Sequence, residues 1–217
     1  MNALDELVGQ VDRALRTLTG VHGAVRPNPA DACGTEQVHD IPGAMALDPV
    51  AGAHAAGLMR INHTGEVCAQ ALYEGQALLA RDAGTRAALR AAAREEADHL
   101  AWCEARLGEL DSRPSLLNPA FYAASFALGA ATALLGDRVS LGFVEATEDQ
   151  VCRHIDEHLE ALPAADTRSR EILAHMRADE ARHGETALAN GGVAFPAPVR
   201  SVMRLLSRVM TASTYRI

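Results

Sequence analysis

The chain has 217 residues, and 48% of them are apolar and 22% charged, which suits one folded domain with a sizeable core. The net charge of −8 argues against a nucleic-acid partner, because binding to phosphates requires a basic surface. Aromatic residues make up only 4%, alanine is abundant and β-branched residues are sparse, so the composition predicts an all-α fold.

Residues 1–46 are predicted to form an N-terminal helix and a linker. Apolar side chains recur at helical spacing over 2–18, and Gly20 follows. Residues 20–46 are rich in Gly, Pro, Asp and Asn, which predicts a loop, and no functional residue is expected there. The N-terminus lacks the apolar stretch of a secretory signal and the cysteines lack C-x-x-C spacing, which together favour a reducing, cytosolic compartment.

Residues 47–217 are predicted to form the main domain, with two Glu-x-x-His pairs at its centre. Glu96 with His99 and Glu180 with His183 each share one face of a predicted helix, so one metal ion can bind both side chains of a pair. The spacing alone is weak evidence, because it also occurs in Glu36 and His39, where Pro and Gly follow and no helix is expected.

A third carboxylate precedes each pair at a similar distance, Glu66 in one half and Glu148 in the other. All of these residues lie on apolar stripes of predicted helices, which span 48–79, 85–110, 138–162 and 168–190. Four buried carboxylates without cations would be strongly destabilising, whereas two metal ions neutralise them. Four carboxylates with two imidazoles are typical of dimetal helical bundles, and this ligand set favours iron or manganese over zinc or copper.

The residues directly before the paired glutamates are candidates to orient the histidines. A metal-bound His normally donates its second N–H to an acceptor. From the symmetry of the motifs we expect Asp179 to accept from His99, and Glu95 to accept from His183, across the bundle.

Two further stretches suggest contact with a membrane. Residues 118–136 contain no charged residue, and Asp137 and Arg138 follow them. Their length is borderline for a membrane span. We therefore expect a helix that is buried in the bundle or lies on a bilayer surface. In the C-terminal tail, Arg200, Arg204 and Arg208 share one helical face, which is typical of a basic helix on an anionic membrane. A helix that packs on the bundle with a solvated face explains the tail equally well.

Five segments in order resemble the demethoxyubiquinone hydroxylases, the ferritin-like di-iron, membrane-associated enzymes of ubiquinone biosynthesis. The resemblance extends over about 45–217 and leaves out the residues before it. The segments are R-I-N-H-T-G-E-V, E-E-A-D-H-L, L-G-A-A-T-A-L-L-G, V-E-A-T-E-D-Q-V and D-E-A-R-H.

The resemblance implies a ferritin-like four-helix bundle with additional amphipathic and apolar helices, and two iron ions. Glu145 is an alternative to Glu148, which is preferred because it keeps His154 in register with a similar histidine of the family. Tyr73 and His154 are expected near the ligands. The implied ligands are Glu66, Glu96 and His99 for one ion and Glu148, Glu180 and His183 for the other, with Glu96 and Glu180 bridging.

The implied reaction hydroxylates the ring of a polyprenylated demethoxyubiquinol with O2. The substrate tail implies a peripheral protein on the cytoplasmic side of the cell membrane. The resemblance is compatible with a protein partner of the ubiquinone pathway and with a homo-oligomer. The rival interpretations are a ferritin-like iron store or oxidant scavenger, a di-iron quinol oxidase, and a bundle with buried salt bridges and no metal.

Overall fold

The computed structural model describes residues 3–33 and 47–217, and within these ranges the regular structure is entirely helical. The predicted all-α fold is therefore confirmed. Glu36 and His39 lie outside the described residues. A short 3₁₀ helix spans Pro29–Cys33, and the α-helices are α1 (Ala3–Thr19), α2 (Pro49–Leu79), α3 (Ala83–Glu109), α4 (Asn118–Leu134), α5 (Asp137–Ala161), α6 (Thr167–Ala189) and α7 (Ala197–Thr214).

Aspartate side chains begin three of these helices. Asp48 accepts from the backbone N–H groups of Val50 and Ala51, as the Asp-Pro pair predicts. Asp82 caps α3 in the same way, which explains why this helix begins two residues before its predicted start. Asp166 caps α6. Each cap satisfies backbone donors that would otherwise lack partners at the start of a helix.

Helices α2, α3, α5 and α6 form the four-helix bundle, and α4 and α7 are the additional helices. The closest packing is of α2 against α3 and α4, and of α5 against α6. This arrangement confirms the expected ferritin-like class. The bundle interior is filled by large, fully buried side chains, among them Met59, Tyr73, Leu100, Leu107, Ile155, Ile172, Leu173 and Met176.

Two glycines allow α4 to lie directly on the backbone of α2. A Cβ added at Gly129 would be 2.3 Å from the carbonyl oxygen of Leu72, and one added at Gly75 would be 2.3 Å from that of Phe126. A larger side chain at either position would push the two helices apart. The small residues of the uncharged segment therefore serve this close packing.

A buried arginine ties the end of α3 to the start of α6. Arg106 donates to Asp166 at 2.8 Å and to Ser169 at 2.8 Å, and its side chain is almost fully buried. Because α3 and α6 carry the two Glu-x-x-His pairs, this contact holds the pairs in register across the bundle.

The N-terminal segment packs on the bundle. Arg13 of α1 forms an ion pair with the buried Glu74 of α2 at 2.7 Å. The 3₁₀ helix lies against α6, and Arg168 donates to the carbonyl oxygen of Ala30 at 2.8 Å.

Helix α7 differs from the expected basic surface helix. Arg200 is half-buried and forms ion pairs with Glu145 at 2.5 Å and Asp149 at 2.8 Å, so the expectation that it faces a membrane is wrong. The exposed side of α7 carries an apolar row, in which Val202, Leu205, Leu206 and Val209 are each about 60% exposed, and Arg208 is exposed as well. No helix in the described ranges is long and apolar enough to cross a membrane.

Candidate metal centre

The six predicted ligands meet in the middle of the bundle, where they form two overlapping groups. Within each group, one potential ligand atom per residue lies within 4.8 Å of the others, and every residue is buried. Glu96 and Glu180 belong to both groups. The first group consists of Glu66, Glu96, His99 and Glu180, and the second of Glu96, Glu148, Glu180 and His183.

Glu96 and Glu180 each present one oxygen to each histidine. Glu96 Oε2 is 3.2 Å from His99 Nδ1, while its Oε1 is 3.3 Å from His183 Nδ1. Glu180 Oε1 is 2.9 Å from His99 Nδ1, while its Oε2 is 3.2 Å from His183 Nδ1. Two carboxylates arranged in this way are suited to bridge two metal ions.

The outward-facing nitrogen of each histidine contacts a carboxylate of the neighbouring helix. His99 Nε2 is 3.0 Å from Asp179 Oδ2, and His183 Nε2 is 3.2 Å from Glu95 Oε2. Each contact crosses between α3 and α6. These are the pairs that the symmetry of the two motifs predicts, and they leave Nδ1 of both rings facing the carboxylate cluster.

The structure separates Glu148 from its alternative, Glu145. Glu148 is buried in the second group, and the hydroxyl of Tyr73 donates to its Oε1. Glu145 lies one turn earlier and pairs with Arg200 of α7 instead. Tyr73 therefore contacts a candidate ligand, as expected, and Glu145 lies outside the cluster.

Two arginines beside the cluster are functional candidates to which the sequence analysis assigns no role. Arg26 donates to Asp179 at 2.6 Å and to Asp98 at 2.6 Å, and its guanidinium lies 4.8 Å from the centre of the Trp102 ring. Arg182 donates to Asp179 at 2.7 Å and to Glu95 at 2.5 Å. For Arg26 the composition predicts only a loop. Its partners Asp98 and Asp179 belong to distant helices and reach it only through the fold, so the sequence around Arg26 does not indicate them.

His154 does not contact the cluster directly in the described structure. It lines an apolar cavity of about 410 Å³ between α2, α4, α5 and α7, and its ring stacks on His158. Glu66 also lines this cavity, so the cavity reaches the cluster. Most of the other lining side chains are apolar, including Leu72, Phe121, Leu128, Phe143, Val151, Met203, Leu206 and Val209.

Burial and mutual repulsion shape the protonation of the metal-free cluster. Burial, reinforced by the neighbouring carboxylates, raises the pKa of Glu66 and of Glu148 well above the usual range. Burial alone would lower the pKa of His183, but its contacts with Glu180 and Glu96 raise it to about 12. In the metal-free protein, protons on these side chains therefore balance the negative charge that metal cations would otherwise balance. Metal binding would release them.

The cluster also leaves carboxylate oxygens without hydrogen bonds. Glu148 Oε2 has no hydrogen-bond partner in the described part of the chain, and Glu96 Oε1 and Glu180 Oε1 are close to imidazole nitrogens without the geometry of a hydrogen bond. Buried polar atoms are rarely left unpaired without a reason. Oxygens and neutral imidazole nitrogens are suitable ligands for iron, so the side chains fit a pair of such ions.

Comparison with known proteins shows similarity to one group of enzymes over the whole length of the chain. A 3-demethoxyubiquinol 3-hydroxylase of Ralstonia pickettii is 57% identical over 216 residues, which cover 99% of this chain and 100% of the relative. Proteins of the same name from Azotobacter vinelandii and Ectopseudomonas mendocina are each 58% identical, over 100% and 99% of this chain and 97% and 96% of the relatives. The N-terminal residues, which the motif resemblance leaves out, are thus included in the match.

The model of the family described as ubiquinone biosynthesis protein COQ7 matches residues 53–214. That range contains all six candidate ligands. It excludes Arg26, which only the full-length relatives cover. This chain belongs to the family described as ubiquinone biosynthesis protein COQ7.

Proposed function

We propose that this chain hydroxylates the ring of a polyprenylated demethoxyubiquinol with O2, as a step of ubiquinone biosynthesis. The observation that carries the proposal is the pair of buried Glu/His groups sharing two carboxylates beside an apolar cavity. The name of the full-length relatives supports the substrate. In the reaction one oxygen atom of O2 is inserted into a ring C–H bond to give a hydroxyl group, and the other becomes water with two electrons from a reductant and two protons from solvent.

The proposed cofactor is a pair of iron ions, which when reduced supply electrons to O2. Glu96 and Glu180 would bridge the ions, because each offers one oxygen toward each histidine. The proposed ligands are Glu66, Glu96 and His99 for one ion, and Glu148, Glu180 and His183 for the other.

The surrounding polar groups orient these ligands. His99 would donate its Nε2–H to Asp179, and His183 would donate to Glu95, which keeps Nδ1 of both rings free of a proton for the metal. The hydroxyl of Tyr73 fixes Glu148 in the same manner. None of these groups needs to react; each holds an atom in place.

The apolar cavity is the proposed binding site of the quinol. Its walls are mostly apolar and include the candidate ligand Glu66, so a ring inserted from the surface would reach the metal ligands. Such walls also exclude bulk water from the reacting atoms. A polyprenyl tail would lie along the apolar side chains that α4 and α7 contribute.

The exposed apolar faces of α4 and α7 are the proposed membrane contact. Leu134 and Leu135 at the end of α4 are 64% and 72% exposed, and the apolar row of α7 is similarly open. Arg204 and Arg208 lie beside that row and suit anionic headgroups. The protein would therefore bind peripherally, and we place it on the cytoplasmic side of the cell membrane.

The ligand assignment predicts different outcomes for two glutamates one helical turn apart. Glu148→Ala should lower the iron content below two per chain, because it removes a buried ligand. Glu145→Ala should keep two irons, because this residue lies outside the two ligand groups and pairs with Arg200. Iron is measured by elemental analysis, and circular dichroism verifies that each variant keeps the helix content of the wild type. Equal iron loss in both variants would refute the assignment.

The positioning role of Asp179 predicts a weaker metal site in Asp179→Asn. The loss of such a partner typically costs about 10 to 100-fold in metal affinity or activity. Asp156→Asn is the control, since Asp156 forms an exposed pair with Arg177 away from the ligand groups. Iron affinity is measured by competition with a chelator, and the iron spectrum reports a changed histidine environment. An Asp179→Asn protein with the affinity and spectrum of the control would exclude this role.

The membrane proposal predicts that Val202→Glu with Leu205→Glu weakens binding to anionic vesicles by more than tenfold. Burying each of these side chains contributes about 1.5–3 kcal/mol, and a carboxylate reverses the effect. Neither residue lines the cavity. Val50→Glu, at a position 80% exposed on the first turn of α2, is the control. Co-sedimentation with vesicles measures the effect, and wild-type binding by the double variant would show that α7 does not contact the membrane.

Product analysis with ¹⁸O2 tests the reaction itself. Iron-loaded protein given demethoxyubiquinol and a reductant should place one ¹⁸O atom in the ring, detected by mass spectrometry. A quinol oxidase would consume O2 and return unlabelled quinone. An iron store would accumulate many irons per chain without turnover, and the exposed apolar faces of α4 and α7 already disfavour a soluble cage. Either of these two results would overturn the proposed function.

A further inference from the structure

A third group of potential metal ligands lies outside the central cluster. His22 follows α1, His63 belongs to α2 and Glu104 belongs to α3, and one ligand atom of each lies within 4.8 Å of the others. His22 Nε2 is 2.7 Å from Glu104 Oε2, and the two imidazole rings have their centres 6.4 Å apart. Three separate segments of the chain thus direct nitrogen and oxygen atoms to one point.

We infer that His22, His63 and Glu104 bind a third metal ion, a divalent cation of the zinc type, which fastens the N-terminal segment to the bundle. Two imidazoles and one carboxylate are a known zinc ligand set that leaves the fourth position to water. The Glu104 side chain is 37% exposed, so water can reach that position.

The distances suit an ion after small side-chain adjustments. Ligand atoms at about 2.1 Å from a tetrahedral zinc ion lie roughly 3.4 Å from one another. His22 Nε2 and Glu104 Oε2 are closer than that, at 2.7 Å, and the ligand atoms of all three residues lie within 4.8 Å of one another.

His63 provides independent evidence for a ligand. Its side chain is only 2% exposed, yet Nε2 has no hydrogen-bond partner within the described structure. A buried, unpaired ring nitrogen needs an explanation, and a metal ligand atom is one. The nitrogen belongs to the same residue that the ligand geometry selects.

The other ring nitrogen of His63 contacts an amide whose oxygen and nitrogen can be exchanged by a half-turn. His63 Nδ1 is 3.3 Å from the amide nitrogen of Asn118, whose Oδ1 accepts from Thr64 at 2.8 Å. Turning this amide exchanges its oxygen and nitrogen, after which Asn118 Oδ1 accepts from Nδ1–H and Thr64 accepts from the amide. His63 Nε2 is then free to bind the ion.

The charge states also suit a cation. Burial lowers the pKa of His63 to about 4, so its imidazole is neutral at pH 7, as a metal ligand must be. The hydrogen bond from His22 lowers the pKa of Glu104, so this carboxylate is ionised.

The site has a structural consequence for the central cluster. His22 and Arg26 lie in the same short stretch between α1 and the 3₁₀ helix, and Arg26 contacts Asp98 and Asp179. An ion held by His22, His63 and Glu104 would limit the movement of that stretch over the bundle. The ion would have a structural role and would take no part in the reaction.

Metal titration of the iron-loaded, full-length protein tests this inference. Co²⁺ is the probe, because its visible absorption reports a tetrahedral site, and total metal per chain is counted in the same sample. Wild type should bind one metal above two per chain. His22→Gln should bind this additional ion more weakly by over ~100-fold, beyond the 10–100-fold typical of a lost outer partner, while its iron content stays unchanged.

His175→Gln is the matched control, since His175 is exposed and contacts Glu171 of its own helix. It should bind the third ion like wild type. Zn²⁺ should raise the melting temperature of wild type and of this control, and leave that of His22→Gln unchanged. A wild-type protein that never exceeds two metals per chain, or a His22→Gln protein that binds the third ion as well as the control, would overturn the inference.

Discussion

The burial of four carboxylates in one core is the constraint on which the rest of the structure depends. Without cations, their mutual repulsion and lost hydration oppose folding. In the metal-free chain protons relieve part of this, as the raised pKa of Glu66 and of His183 indicates. Two metal ions would relieve more, so their binding energy would contribute to folding. The helices of the bundle thus hold together a group of carboxylates that cations stabilise.

Charge alternates outward from that centre. The inner carboxylates contact His99 and His183, which contact Asp179 and Glu95, and Arg182 contacts both of these acids. These successive contacts between opposite charges reduce the cost of burying them. The last layer comes partly from Arg26, which lies outside the match to the family model. The N-terminal segment therefore completes a charge network that the bundle helices begin.

Periodicity predicts the inner part of this arrangement and little of the outer part. Residues three apart on a helix must share a face, so the pairing of Glu96 with His99 follows from local geometry. The contact of His99 with Asp179 follows from the similarity of the two motifs. Arg26 and His22 meet their partners only through tertiary folding of a loop, which leaves no periodic signal. The same reason explains the error at Arg200, whose partner Glu145 belongs to another helix.

Helix α7 joins the membrane proposal to the proposed chemistry. Leu206 and Val209 are about 60% exposed and also line the cavity that reaches Glu66, so one apolar surface continues from the outside of the protein to the cluster. A quinol whose tail stays in the bilayer could move its ring along that surface without entering water. Arg200 holds the helix at the rim through Glu145 and Asp149 of α5. Glu145, though no candidate ligand, thereby positions the entrance on the same helix from which Glu148 reaches the cluster.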